Sequence, residues 1–236
     1  LQTNGSGVLS FAAASSGDIT SVVAGTGLSG GGTSGDVTLN VDLISKQGGT
    51  NFGNSLLVGT SGTGTLSNAC NNTGVGVGVL AAITTADDNA AFGKGSLAAL
   101  TTGAENTGIG KDSLITNTTG ARNTAVGARS LFANTTGQQN IAVGQAALED
   151  NTEGVKNVAV GRCALATNTT GDNNTAVGQQ SLQAHTTADN NTALGSLALR
   201  LNTTASNNTA VGFSSLSANT TGAENVAVGK DALLAN

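Results

Sequence analysis

One phrase, Asn-Thr-Ala-Val-Gly, returns with a strict 17-residue period from Asn72 to the end of the chain. Self-similarity at a fixed period restricts a chain to a stack or array of like units. The Asn column is Asn72, Asn89, Asn106, Asn123, Asn140, Asn157, Asn174, Asn191, Asn208 and Asn225. Four places after each Asn comes a Gly: Gly76, Gly93, Gly110, Gly127, Gly144, Gly161, Gly178, Gly195, Gly212 and Gly229. Eight after each Asn comes a Leu: Leu80, Leu97, Leu114, Leu131, Leu148, Leu165, Leu182, Leu199, Leu216 and Leu233. None of the three columns has an exception in ten copies.

With Asn as position 1, the consensus is N-T-A-V-G-x-x-S-L-x-A-N-T-T-G-x-x. Positions 1–5 hold small and β-branched residues and end in Gly, and positions 12–15 read Asn-Thr-Thr-Gly, so the unit parses as strand, turn, strand, turn. The chain is therefore expected to be all-β, a β-solenoid of 17-residue coils. Gly at position 5 implies a backbone angle or a close approach that a Cβ would obstruct, and Asn tolerates left-handed turns, so both columns read as corners. Position 4 (Val75, Phe92, Ile109 and their successors) and the Leu column are expected to supply the inward apolar stack.

Position 3 is Ala or Gly in every copy, and residues 3 and 4 of a strand face opposite ways. A strand apolar on both faces reads as buried on both. One Val-sized and one Leu-sized side chain per coil cannot offset the entropy of ordering the coil's backbone. Stacking is thus obligatory, and further burial is expected from other chains. The small column Ala91, Ala125, Ala142, Ala159, Ala176, Ala193, Ala210 and Ala227 is the predicted inter-chain interface of a side-by-side homo-oligomer, with three as the expected number. The cations agree: Lys94, Lys111, Arg162 and Lys230 fall at position 6, Arg129 at 7, Arg200 at 10, Arg122 and Lys156 at 17, and none at 1–5.

The phrase N-T-A-V-G-x-x-S-L with intervening Asn-Thr-Thr-Gly resembles the head repeats of trimeric autotransporter adhesins. It is more similar still to repeat-bearing tail fibre proteins of bacteriophages, many of which end in a self-cleaving chaperone domain. The resemblance covers the whole repeat array, 72–236. It implies a left-handed parallel β-roll, three rolls about a common axis, a location on a virion or outside a cell, and host attachment through receptor-binding parts outside this chain.

Residues 1–46 lie outside the repeat and read as a Gly-rich connector with a short hairpin, Ile19–Val23 against Val37–Val41, joined by the run Gly25 to Gly35. That run resembles a connector of phage tail fibres; no Gly-Lys-Ser/Thr follows it, so it does not read as a phosphate cradle. Residues 47–71 read as an atypical capping coil, since Gly59 precedes Gly76 by one period, and 72–236 hold the ten repeats. The start at Leu1 and the stop at position 12 of the last repeat suggest an excised or continued chain.

Chemistry-bearing residues are sparse. Cys70 and Cys163 lie more than five coils apart, about 25 Å at roughly 4.8 Å per coil, too far for a disulfide within one chain. His185, at a position usually Asn, is a drifted turn residue with no second His or Cys cluster to hold zinc. The serines are mostly position-8 turn residues, and no Ser, His and Asp set stands out as a nucleophilic triad. No cofactor, metal or enzymatic activity is expected. A net charge of −5 with few cations argues against nucleic acid, and no apolar run is long enough to span a membrane. The Thr columns at positions 13 and 14 raise ice binding as an alternative, weakened because adjacent Thr residues point opposite ways. The favoured reading is the shaft of a trimeric virion or extracellular fibre; a bacterial surface adhesin or filament subunit is the second.

Overall fold

In a computed structural model, residues 53–59 and 63–234 are described in full, together with six short strands before them. The chain divides into two units, Leu1–Ile44 and Ser45–Asn236. In the first, Gln2–Thr3 pairs antiparallel with Leu9–Ser10, and Leu28–Gly32 pairs antiparallel with both Val22–Val23 and Leu39–Val41. The two strands expected around 19–23 and 37–41 thus do not pair with each other. Part of the Gly-rich run lies between them as the middle strand. The remaining connector residues fall outside those described.

The second unit is a parallel β-solenoid. Each coil gives one three-residue strand at positions 2–4, from Leu56–Val58 and Thr73–Val75 through to Val226–Val228. Successive strands pair in parallel one period apart, as in Thr107↔Thr124, Gly108↔Ala125 and Ile109↔Val126. Residues 55–59 form a coil of the same register, and Lys46–Gln47 runs antiparallel along the edge of Leu56–Val58. β-Branched Thr and Val favour the extended segment, and Gly at position 5 ends it.

Among the described coils the expected second strand is absent: positions 6–11 form turns. The reason lies in the Leu column. Leu80 through Leu233 all adopt φ between 48° and 51°, a left-handed conformation that costs a non-Gly residue about 1–2 kcal/mol. In a regular strand positions 8 and 9 would face opposite ways. The left-handed Leu turns both inward, and Ser96 with Leu97, Ser113 with Leu114 and Ala147 with Leu148 are buried as pairs. Coil-to-coil hydrogen bonding persists, with Leu97 N–H donating to Ser113 C=O at 3.0 Å and Ala99 N–H to Ile115 C=O at 3.1 Å.

The core also reverses the expected strand faces. Ala91, Ala125, Ala142, Ala159, Ala176, Ala193 and Ala210 are fully buried within the single chain and Ala227 nearly so. They cannot form an inter-chain surface. Position 4 points outward instead, with Val75, Phe92, Ile109, Val143 and Leu194 exposed. The coil is too narrow for a larger residue at position 3: a Cβ added to Gly108 would lie 2.5 Å from Ser96 Oγ and 3.4 Å from Leu97 Cγ. Leu80 to Leu216 fill the remaining width, while Leu233, in the last coil, is half exposed.

The Asn column does not form left-handed corners either. Apart from Leu at position 9, the left-handed non-Gly residues of the array stand at positions 7 and 17, such as Arg129 and Arg122 at φ 58° and 59°. Gly at position 5 takes φ from 118° to 142°, and at Gly144 (φ 135°) an added Cβ would lie 2.6 Å from Gly161 O. Conformation and space both demand glycine there. Gly144→Ala should therefore lower unfolding stability by at least ~2 kcal/mol. Ala159→Leu should cost about 1–3 kcal/mol by overpacking, and Val160→Ala, on the outward face, should cost less than Ala159→Leu. Urea unfolding of the three variants checks the face assignment directly.

Candidate functional site

Two ladders of buried amides run along the stack, one at position 1 from Asn72 to Asn225 and one at position 12 between Asn117 and Asn219. At position 1, each Asn Oδ1 accepts from the next coil's Asn: the Asn106 backbone N–H donates to Asn89 Oδ1 at 2.9 Å and Asn106 Nδ2 at 3.1 Å. The other Nδ2 hydrogen goes to the position-15 carbonyl, Gly120 O at 2.9 Å. The same pattern recurs at Asn123 and Asn140. These residues are fully buried. Their role is interior hydrogen bonding, for which Asn offers two donors and a two-lone-pair acceptor.

The second ladder stands at position 12, where Asn134 Nδ2 donates to Asn117 Oδ1, Asn151 to Asn134 and Asn168 to Asn151, each at 2.8 Å. His185 interrupts it. The imidazole is fully buried; Nε2 donates to Ala188 O at 2.7 Å and Nδ1 accepts from Asn202 Nδ2 at 3.3 Å. Those partners define the neutral Nε2–H tautomer. Asn168 Oδ1, which the next Asn would have satisfied, is left buried without a partner. Burial pushes the His185 pKa below its ordinary value, opposed by the Ala188 carbonyl and the Asp189 carboxylate.

Most of the exposed large hydrophobic residues of the described array stand on the outward strand face, at positions 2 and 4. Side chains alternate, so positions 17, 2, 4 and 6 face out while 1 and 3 face in. Position 4 is aliphatic or Phe in every coil, position 2 is Thr, Ala, Ile or Val, and neither is charged anywhere. Charges begin at the rims, positions 17 and 6. The absence of cations at positions 1–5 points to a strand apolar on both faces, but the outward side belongs to position 4 and not to the small residues at position 3.

The two Thr columns differ. At position 13 the hydroxyls are engaged, Thr135 Oγ1 donating to Thr152 O and Thr152 Oγ1 to Thr169 O at 3.1 Å. Of the two, only position 14 is exposed in every coil, from Thr85 to Thr221 with Glu153 interposed. Ser at position 8 is interior, Ser130 Oγ donating to Gly127 O at 2.9 Å. Cys70 and Cys163 are free and half-buried.

At positions 7–11 of neighbouring coils, Arg129 pairs with Glu149 at 2.5 Å and stacks 4.0 Å over Phe132. Nearby, burial and the Glu149 charge raise the Asp150 pKa, with Arg129 opposing. Among the described residues no cluster of three or more His, Cys, Asp or Glu is placed to hold a metal ion, and no helix is long and apolar enough to cross a membrane. Comparison with protein-family models, with curated proteins and with solved structures gave no match.

The broken ladder yields a sharp test. His185→Asn restores a donor to Asn168 Oδ1 and should stabilise the chain by about 1 kcal/mol. In the parent chain the unfolded His takes a proton near its usual pKa while the folded one resists. Stability should therefore fall as pH drops below about 6.5. Chemical denaturation at pH 7 and pH 5 should show this histidine-dependent loss in the parent and its disappearance in His185→Asn.

Proposed function

We propose that this chain is the structural shaft of a homotrimeric fibre outside a cell or on a virion, in the manner of a phage tail fibre that holds a host-attachment part at a distance. The observation that carries the reading is the continuity of bonding along one direction. Backbone bonds, amide ladders and Thr hydroxyls all link each coil to the next along the stack. A pull along the stack is shared among parallel ladders at every level. Ten coils at roughly 4.8 Å give a rod of about 48 Å.

The resemblance of N-T-A-V-G-x-x-S-L to fibre and adhesin repeats supports the same class, with a surface adhesin or filament subunit as the neighbouring reading. Ice binding is less favoured, because the position-13 hydroxyls are engaged by neighbouring carbonyls, which leaves position 14 as the one exposed column of the Thr-Thr pair.

The test is the solution mass and shape of the full chain. Light scattering should give three chains per particle, small-angle scattering an elongated form, and the array should resist protease at concentrations that degrade an unfolded chain. A compact folded monomer would overturn the shaft reading; thermal hysteresis in ice-recrystallisation assays would move ice binding ahead of it.

A further inference from the structure

The chain's own interior uses only one face of its parallel strands. The other face carries an apolar stripe at position 4, where Val75, Phe92, Ile109, Val143 and Leu194 are 36–47% exposed and Val126, Val160, Val177 and Val211 half-buried, all outside the cluster that forms the core. We infer that this outward strand face is the surface through which copies of this chain pack, parallel and level with one another about an axis running along the stack. The inference rests on the fibre reading and names its interface.

Three features identify the occupant. The first is period. A partner that covers the stripe at every level must itself repeat at the coil rise, and a second copy does so. The second is size. At about 4.8 Å per coil and roughly 3.3 Å per residue, ten coils between positions 17 and 6 offer a footprint of roughly 950 Å², of the order of the ~800 Å² per partner of a stable interface. The centre of that footprint is uncharged, as interface cores are.

The third is the arrangement of rim charges. At three levels an acid precedes the strand and a lysine follows it: Asp88 and Lys94, Glu105 and Lys111, Glu224 and Lys230. In a parallel ring the leading rim of one copy meets the trailing rim of its neighbour at the same level, so each acid faces a lysine. One level opposes this, with Lys156 and Arg162 of like sign. In an antiparallel pair centred on the stack, leading rim meets leading rim and trailing meets trailing. Every charge then faces an uncharged residue, Asp88 meeting Asn207 and Lys94 meeting Phe213.

Charge complementarity therefore selects the parallel arrangement. Within one chain Glu105 touches Arg122 at 3.2 Å, Lys111 touches Asp112 and Lys230 touches Asp231 at 3.6 Å, and Asp88 accepts from Asn71 Nδ2 at 2.9 Å. The lysines and Glu105 in these pairs are exposed, so the contacts are weak and leave those side chains available to a neighbour.

The experiment is sedimentation and light scattering of the full chain and two sets of variants at low salt, with circular dichroism as the folding control. Lys94→Glu, Lys111→Glu and Lys230→Glu together should weaken association at least tenfold. Adding Asp88→Lys, Glu105→Lys and Glu224→Lys should restore it, because the complementarity is swapped and not lost. All six side chains lie outside the core, so folding is preserved. Independently, Val160→Asp with Val177→Asp should give a folded monomer. Association unchanged in both sets would overturn this surface while leaving the fibre reading intact. A parent chain that is folded and monomeric would overturn both.

Discussion

The 17-residue register is the constraint on which the rest of the stack depends. Each coil is bonded to the next by strand pairing, by turn-to-turn backbone bonds and by the position-1 amide ladder, all within one residue of the same 17-residue register. Inside the column an Asn meets an Asn above and below, its oxygen accepting two bonds from one neighbour and its nitrogen donating to the other, and at the first coil Ser55 Oγ accepts from the Asn72 N–H in place of an Asn. A single replacement leaves a buried amide group unpaired, at about 1–3 kcal/mol. His185 shows the consequence in the sister ladder: its ring reaches the position-15 carbonyl as Asn does, but it cannot also satisfy Asn168. A one-residue insertion is worse, since it displaces every ladder at once.

Backbone strain is the second consequence. Leucine in a left-handed conformation at every copy is an unusual choice, and it persists because the surrounding ladders determine it. It makes two successive residues face inward on the arm opposite the strand. Without that, the Ser and Leu columns would lie on opposite sides, and the coil would have no apolar residue large enough to fill its width against Ala. Gly at position 5 closes the turn between the two arms, where neighbouring backbones approach too closely for any Cβ.

Period, parallel stacking and the glycine requirement are legible in the sequence because each leaves a column that one chemical argument explains. The strand's inner face is not, because side-chain size points the wrong way. Val is larger than Ala, which argues for Val160 inside and Ala159 outside; the structure has the opposite. Size is a poor guide because the interior is filled from the far arm by Leu165 and from the ends by Asn157 and Asn168, leaving a methyl's width at position 3. The second strand misleads because Leu carries no sign of a left-handed backbone in its identity. Local turn preference puts the Asn column at corners, whereas its uniformity reflects bonding to the matching Asn of the next coil.

That reversal changes where the apolar surface of the molecule goes. The interior of a coil holds one Leu, an Ala, a Ser or Ala and up to two amides, which is little hydrophobic area for a whole coil. The remaining aliphatic side chains of the strand are outside, in a narrow stripe that runs the length of the stack. Burial at roughly 25 cal/mol per Å² makes covering such a stripe favourable, and a surface that repeats every coil is matched along its whole length by another of the same repeat. The ladders supply order within one chain but little apolar burial; the stripe supplies apolar area that one chain cannot bury. A chain built this way has its ordering interactions along the stack and its unused hydrophobic surface across it, which is the division of labour that a bundle of parallel rods requires.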